Sequence, residues 1–285
     1  MGCGGRGCYG PGMQSASHRP LASRVGRMAI AYLEHVPAHR GQARLIDLVG
    51  RTLGPVPSTA VGGVELMLRL DSAMDRSYVV RDTLDHATLL SELERLRPGD
   101  VVVDVGANAG LYSVLAARRV APGGRVFAFE PSADEFARLA WALRANGVDN
   151  IVASNTALAD RGGFFGFVPA PSQHTGLHRL GAEGDAAPHR VWAERGDVAV
   201  QLEAKENIAL LKIDVEGSEL GVLRGFQALL EAGRIGRLVI EISDEFLRRY
   251  GASSAELYAY LAALGYVPAR GPLGSAQYDE VFARR

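Results

Sequence analysis

The sequence predicts an α/β protein in which helices cover both faces of a mostly parallel β-sheet. Apolar runs rich in β-branched residues alternate with amphipathic segments, and a glycine-rich loop joins the first run to the segment after it. The runs predicted as strands are Val101–Val105, Arg125–Phe129, Ile151–Asn155, Ala209–Asp214 and Arg237–Ile242. The segments predicted as helices are Leu111–Arg119, Ala133–Asn146, Ser218–Ala232 and Ser254–Leu264. The strands predicted to close the chain are Tyr266–Ala269 and Tyr278–Ala283.

The chain divides by composition into three predicted parts. Residues 1–20 are rich in glycine and serine and are expected to form a disordered tail. Residues 21–97 are expected to form N-terminal helices and a hairpin, and residues 98–285 hold the alternating α/β core. The sequence leaves open whether the N-terminal helices cap a pocket or pair two protomers.

The middle part is predicted from helical spacing and from turn residues. The spacing of apolar residues indicates helices over Ala22–Val36 and Arg44–Leu53. Gly62-Gly63 stands between two apolar runs and indicates a hairpin over Thr59–Leu70. A further helix is expected over Thr83–Leu96, because a Pro-Gly pair follows it closely.

The composition excludes several classes of protein. The 285 residues carry a formal net charge of -1, so there is no bulk attraction to nucleic acid or to an acidic membrane. No apolar run approaches the ~20 residues of a membrane span, and the N-terminus lacks the apolar core of a signal peptide. The two cysteines, Cys3 and Cys8, form neither a disulfide framework nor a zinc site. We therefore expect a cytoplasmic protein without nucleic-acid or membrane partners.

The loop after the first predicted strand has the composition of a cofactor cradle. Gly106 and Gly110 let the backbone turn sharply near a ligand, and the helix that follows offers unpaired N–H groups to an anion such as a carboxylate. Asp104 is poised to accept from an ammonium beside that anion. Glu130 ends the next strand, a position from which an acid accepts hydrogen bonds from the two hydroxyl groups of a ribose. An amino-acid head and a ribose together indicate S-adenosylmethionine; the alternative is a structural turn with Glu130 as a surface acid.

A second group of ionisable residues lies in the segment LLKIDVEGSE. Lys212 and Asp214 share one face of a predicted central strand. A buried ammonium there must be paired, and the candidate partners are Asp214, Asp104 and Glu241. Asp214 and Glu216 then emerge at the carboxyl edge of the sheet, where ligands bind. Either Asp214 faces a ligand, or the Lys212–Asp214 pair is structural and Glu216 is a charge at a helix N-terminus.

Four motifs are specific in combination: DVGANAG, FAFEP, NTALAD and LLKIDVEGSELGVLRG. Together they resemble the FkbM family of S-adenosylmethionine-dependent methyltransferases, over roughly Pro55 to the C-terminus. The resemblance implies the Rossmann-like class I methyltransferase fold, a seven-stranded sheet with one antiparallel strand near its end. It also implies methyl transfer to hydroxyl groups of polyketides, sugars or other secondary metabolites. The cofactor-binding positions implied by the family, together with Asp214 from the second motif, are Asp104, Gly106, Asn108, Gly110, Glu130 and Asp214, with Ala157 near the adenine.

The residues that would activate an acceptor are predicted in two places. A hydroxyl is a poor nucleophile at neutral pH, so a base near its proton is expected. Asp214 and Glu216 are candidates, and so are His174 and His178, which lie in a long polar loop, Ala170–Arg195, with the composition of a lid. Because no histidine, cysteine or acid spacing is typical of a metal site, no obligatory metal is predicted.

Three segments depart from the family's pattern, and two other functions stay open. The altered segments are expected to line the acceptor pocket, which leaves the acceptor and the activity itself undecided; they are Tyr78–Asp85, Ser172–His178 and Val198–Asn207. A nicotinamide-dependent oxidoreductase shares the strand–loop–helix–acid layout but uses GxGxxG and a second dinucleotide half. A non-catalytic S-adenosylmethionine-binding protein would bind the cofactor without turnover.

Overall fold

The computed structural model describes residues 19–36, 41–78, 87–171, 176–182, 186–271 and 277–285. The predicted tail falls almost entirely outside these residues, as do both cysteines, His174 and nearly all of the Tyr78–Asp85 segment. Among the described residues, no helix combines the length and the apolar character needed to cross a membrane.

The helices and strands have the following bounds. The helices are α1 (Arg19–His35), α2 (Gln42–Leu53), α3 (Ala73–Ser77), α4 (Ala87–Leu93), α5 (Leu111–Val120), α6 (Ala133–Ala145), α7 (Gly196–Ala199), α8 (Glu219–Gly225), α9 (Gln227–Glu231), α10 (Asp244–Arg249) and α11 (Ser254–Ala263). The strands are β1 (Val56–Ala60), β2 (Val64–Leu68), β3 (Val101–Val105), β4 (Arg125–Phe129), β5 (Ile151–Ser154), β6 (Ala157–Leu158), β7 (Gly163–Val168), β8 (Arg179–Leu180), β9 (His189–Glu194), β10 (Ile208–Ile213), β11 (Ile235–Ile242), β12 (Tyr266–Pro268) and β13 (Tyr278–Arg284).

The central sheet has seven strands in the order β5, β4, β3, β10, β11, β13, β12. Strand β13 pairs antiparallel with both of its neighbours, and the other pairings are parallel. This confirms the predicted mostly parallel sheet with one antiparallel strand near its end. The strand order reverses between β3 and β10, so the carboxyl ends of these two strands open a crevice.

The two innermost strands are buried on both faces of the sheet. Every residue of β3 is buried, and its run of valines is typical of a parallel strand covered on both sides. Val103 and Leu211 pack in one apolar cluster with residues of α8 and α11. Val102 and Leu210 point the other way and pack in a second cluster with residues of α5. This alternation fixes which side chains can reach the crevice at the strand ends.

The N-terminal elements pack on the α5 side of the sheet. Ile30 of α1, Ile46 of α2 and Leu66 of β2 are buried in the same apolar cluster as Val102. In α6, Arg138 donates from Nε to the carbonyl of Met67 at 2.8 Å and forms a buried ion pair with Asp75. The two predicted helices and the hairpin are present, with ends shifted by a few residues. The division of the chain into domains stays a prediction.

A second sheet corrects the prediction of a continuous polar loop over Ala170–Arg195. Four short strands pair in the order β6, β9, β7, β8, and both β8 and β9 lie inside that segment. Of the residues of β9, only Ala193 is buried, so its sequence lacks the apolar alternation that would have indicated a strand. The connection from β7 to β8 carries residues 176–180 to the carboxyl edge of the central sheet.

The predicted helix Ser218–Ala232 is two helices in the structure. Helix α8 ends at Gly225 and α9 begins at Gln227, with Phe226 in a non-helical conformation between them. A Cβ atom on Gly225 would lie 2.2 Å from the carbonyl oxygen of Ala159, so the backbone approaches that carbonyl closely. The break therefore follows from packing between distant segments, which helical periodicity does not encode.

Candidate functional site

A cavity of about 380 Å³ lies at the crevice between β3 and β10. This volume falls within the range of small-molecule sites, about 300–1,000 Å³. The cavity is lined by residues at the ends of β3, β4, β10 and β11 and by residues 176–180. Seven residues predicted to belong to the site line this cavity: Gly106, Asn108, Glu130, Ala157, His178, Asp214 and Glu216.

Gly106 holds the glycine loop against the end of β10. Its φ is 79°, and a Cβ atom there would lie 1.9 Å from the carbonyl oxygen of Asp214, so only glycine fits. The N–H groups of Gly106 and Ala107 each donate to the carbonyl of Phe129 at 3.0 Å. The N–H of Asn108, a residue with φ 47°, donates to Oε2 of Glu130 at 2.9 Å. The loop and the acid at the end of β4 therefore form one rigid unit.

Glu130 presents a buried carboxyl group to the cavity. Its Oε1 accepts from the N–H of Ser132 at 2.8 Å, while Oε2 accepts from Asn108. Burial raises the pKa of Glu130 to about 7, against the opposing effect of these two N–H groups. Each carboxylate oxygen has a second lone pair, so Glu130 can also accept from hydroxyl groups of a ligand.

Asp104 and Lys212 form a buried ion pair behind the loop. The Nζ of Lys212 lies 3.0 Å from Oδ1 of Asp104 and donates to the carbonyl of Gly106 at 2.8 Å. Ser113 donates to Oδ2 of Asp104 at 2.6 Å. Burial lowers the pKa of Lys212, but Asp104 and Asp214 more than offset it, so the pKa lies above its usual value.

This arrangement gives Asp104 a structural role that the sequence left open. Both of its oxygens accept from protein groups and the side chain does not line the cavity, so its contact with the ammonium of a ligand stays a prediction. Asp104 positions Lys212, and Lys212 in turn holds the carbonyl of Gly106.

Three carboxylates meet beside the end of β10. One oxygen from each of Asp214, Glu216 and Glu241 lies within 4.8 Å of the other two. Burial and the charge of Asp214 raise the pKa of Glu216 to about 9 and also raise that of Glu241. Glu216 has φ 58°, a conformation that costs a non-glycine residue about 1–3 kcal/mol and that clusters at functional sites.

His178 lines the cavity, but its hydrogen bonding does not suit a general base. The N–H of Ala170 donates to Nδ1 of His178 at 3.0 Å, so Nδ1 is unprotonated and Nε2 carries the proton. Nε2 lies 3.7 Å from Oε1 of Glu135, and the ring stacks on Phe167. His174, the other candidate base, lies outside the described residues. Of the candidate bases, Asp214, Glu216 and His178 line the cavity, and the hydrogen bonding of His178 favours the two acids as the base.

Some residues of the site differ from the sequence-based list. Gly110 does not line the cavity; it caps α5 with φ 94°, and a Cβ there would lie 2.5 Å from Leu139, so glycine lets α5 begin close to α6. Its contact with the cofactor stays a prediction. Met74 lines the cavity but was not predicted, whereas Leu177 belongs to the Ser172–His178 segment that was expected to line the acceptor pocket. Helix α3, which carries Met74, has five residues, too few for a periodic signal. A Cβ atom added at Gly176 would lie 2.7 Å from Sδ of Met74, so α3 and the residues before β8 approach each other closely at the cavity.

The sequence matches known methyltransferases. A family model described as the methyltransferase FkbM domain matches residues 104–268. The chain is 32% identical over 249 residues to the 31-O-demethyl-FK506 methyltransferase FkbM of Streptomyces tacrolimicus, covering 75% of this chain and 92% of that protein. It is 28% identical over 205 residues to the hexuronic acid methyltransferase AglP of Haloferax volcanii, covering 70% of this chain and 81% of that protein.

A similar solved structure is a SAM-dependent methyltransferase from Aquifex aeolicus. The TM-score is 0.42 and the identity is 15%, over 70% of this chain and 88% of that one. At this level the structural likeness carries no functional argument, and the sequence matches alone identify the family.

Proposed function

The chain belongs to the FkbM methyltransferase family, and we propose that it transfers the methyl group of S-adenosylmethionine to a hydroxyl of a small molecule. One observation carries this proposal. The glycine loop, Glu130 and Asp214 line a single cavity at the point where the strand order reverses. Family membership also favours methyl transfer over the hydride transfer that the strand–loop–helix–acid layout had left open.

The residues present fit this cofactor. Glu130 has lone pairs left to accept from two ribose hydroxyls, and its inner lone pairs are fixed by Asn108 and Ser132. Ala157 and Leu158 provide an apolar wall suited to a flat base. When bound, S-adenosylmethionine supplies an electrophilic methyl group on a sulfonium. The protein's contribution is to align the acceptor with that methyl group and to exclude water.

Asp214 is the residue proposed to receive the acceptor's proton. Glu216 is a poorer base at neutral pH, because its raised pKa keeps it protonated there. Nζ of Lys212 lies 3.6 Å from Oδ2 of Asp214 and helps to hold that carboxylate in place. The acceptors of the relatives suggest an oxygen-rich small molecule, such as a hexuronic acid or a polyketide.

A methyl-transfer assay tests this proposal. The protein is incubated with methyl-labelled S-adenosylmethionine and a panel of uronic acids, other sugars and hydroxylated polyketides. We expect labelled product and S-adenosylhomocysteine in equal amounts, with a rate at least about 10²-fold lower for Asp214→Asn. Cofactor binding without turnover on any acceptor would favour the non-catalytic alternative instead.

A further inference from the structure

The three carboxyl groups beside β10 lie close together, with little positive charge beside them. Lys212 is the cation in contact, and its Nζ is already held by Asp104 at 3.0 Å and by the carbonyl of Gly106 at 2.8 Å. It reaches only Asp214, at 3.6 Å. Among the described residues, Arg249 lowers the pKa of Glu216, but by less than Asp214 and Glu219 raise it. A divalent cation placed between the three groups would supply the charge that lets all of them ionise together.

Glu216 gives a second and separate indication of a ligand. The residue is only 7% exposed, and its Oε2 is buried without a hydrogen-bond partner among the described residues. Leaving a buried carboxylate oxygen unsatisfied is costly, so native structures seldom do so without a reason. The same side chain has an oxygen within 4.8 Å of an oxygen of Asp214 and of an oxygen of Glu241.

The spacing of the three oxygens suits a hard divalent cation. Two oxygens on opposite sides of such an ion are separated by twice the metal–oxygen bond, which is about 4.2 Å for Mg²⁺ and about 4.8 Å for Ca²⁺. One oxygen from each of Asp214, Glu216 and Glu241 falls within 4.8 Å of the others. A donor set made only of carboxylates favours Mg²⁺, Mn²⁺ or Ca²⁺ over zinc or copper.

We propose that Asp214, Glu216 and Glu241 bind a divalent cation such as Mg²⁺ or Mn²⁺, which in turn holds the acceptor by two neighbouring oxygens. This rests on the proposed methyl transfer. Three protein ligands leave about half of an octahedral shell for water or the acceptor. Vicinal diols and 2-hydroxy acids would chelate such an ion. An acceptor hydroxyl bound to it would lose its proton more readily, and the carboxylate oxygen of Asp214 that does not bind the ion would accept that proton.

Linear spacing could not have revealed this group. Asp214 and Glu216 are close in sequence, but Glu241 belongs to β11. The three meet because β10 and β11 pair in parallel, with Ile213 beside Ile240. The expectation of no obligatory metal was drawn from spacing along the chain and did not consider neighbouring strands.

Binding of Mn²⁺ to the full chain, measured by the loss of the free-ion electron paramagnetic resonance signal, tests the proposal. We expect one Mn²⁺ per chain with a Kd below about 1 mM, displaced by Mg²⁺. Glu216→Gln and Glu241→Gln should each weaken binding at least about tenfold. These carboxamides remove repulsion between buried charges and should fold, which circular dichroism would check.

Glu219→Gln is the matched control. Glu219 is buried nearby, and its Oε1 accepts from the N–H of Gly217 at 2.9 Å, but it is not one of the three grouped carboxylates. This variant removes a charge without removing a ligand and should keep most of the affinity. Absence of Mn²⁺ binding to the wild type, or equal binding by all three variants, would overturn the proposal. Because cofactor and acceptor are absent from the assay, its result is independent of whether methyl transfer occurs.

Discussion

The Nζ atom of Lys212 lies 3.0 Å from Oδ1 of Asp104, across the line where the strand order of the central sheet reverses. Both side chains are buried, and the same Nζ holds the carbonyl of Gly106. One ion pair thus joins the strands on either side of the cavity to the loop above it. The position of the loop therefore depends on this pair.

Removing the cation of this pair should be strongly destabilising. Lys212→Met leaves Asp104 buried with the hydroxyl of Ser113 as its remaining side-chain donor, and the loss of one partner of a buried pair costs about 3–5 kcal/mol. Adding Asp104→Asn to the same chain should recover part of this loss, because the unpaired charge is gone. Urea unfolding measures both. A Lys212→Met protein within about 1 kcal/mol of wild type would show that the pair does not hold the sheet ends together.

The glycine loop should reject a side chain at Gly106 for two reasons. Its positive φ costs a non-glycine residue about 1–2 kcal/mol, and the added Cβ would collide with the carbonyl of Asp214. Gly99 has φ 91°, and a Cβ atom added there would meet nothing within 4 Å, so Gly99→Ala isolates the first cost. We expect Gly106→Ala to cost at least about twice as much in urea unfolding. Equal costs would mean that the loop can move away from β10 freely.

Glu130→Gln should change how stability depends on pH. Because the folded-state pKa of Glu130 is raised from 4.5 to about 7, the folded protein binds more protons than the unfolded chain between these values. The contribution of Glu130 to the free energy of unfolding of the wild type is therefore most favourable below pH 4.5. It falls by roughly 3 kcal/mol as the pH rises through the folded-state pKa of about 7. The neutral glutamine removes that loss.

The measurement is the free energy of unfolding of Glu130→Gln minus that of the wild type, taken at pH 5 and again at pH 8. Other buried acids with raised pKa values, such as Glu219, contribute equally to both and cancel. The variant should gain on wild type as pH rises. A difference that is flat across this interval, or that has the opposite sign, would show that the burial of Glu130 does not penalise its charge.

The core of the fold could be predicted because its strands are apolar on both faces. The runs at Val101 and Arg125 are strands of the predicted length, since burial on both sides requires a continuous apolar run. The second sheet could not be predicted in this way, because Ala193 is the one buried residue of β9 and the sequence of that strand is typical of a polar loop. Strand signals weaken as burial decreases, so peripheral strands are the first to be missed.

The candidate site was predictable where a recognisable strand–loop–helix–strand pattern supplies the residues. Asn108 lies in the glycine loop and Glu130 follows β4, and the N–H of Asn108 donates to Oε2 of Glu130 at 2.9 Å. Sequence reasoning was less complete where partners come from different strands. It left three acids open as partners of Lys212, of which Asp104 is the nearest, and it did not indicate that Glu241 would join the acids that follow β10. Both contacts depend on the pairing of parallel strands, which the order of residues along the chain does not specify.

Calorimetric titration with S-adenosylmethionine and S-adenosylhomocysteine tests the central claim most directly. It is performed on the wild type, on Glu130→Ala and on the control variant Asp134→Ala. Asp134 is an exposed acid four residues after Glu130 in the sequence, and it does not line the cavity. We expect micromolar binding that Glu130→Ala weakens at least about tenfold, or 1.4 kcal/mol, and that Asp134→Ala leaves unchanged. Absence of binding to the wild type, or equal affinity in Glu130→Ala, would contradict the assignment of this cavity to the cofactor.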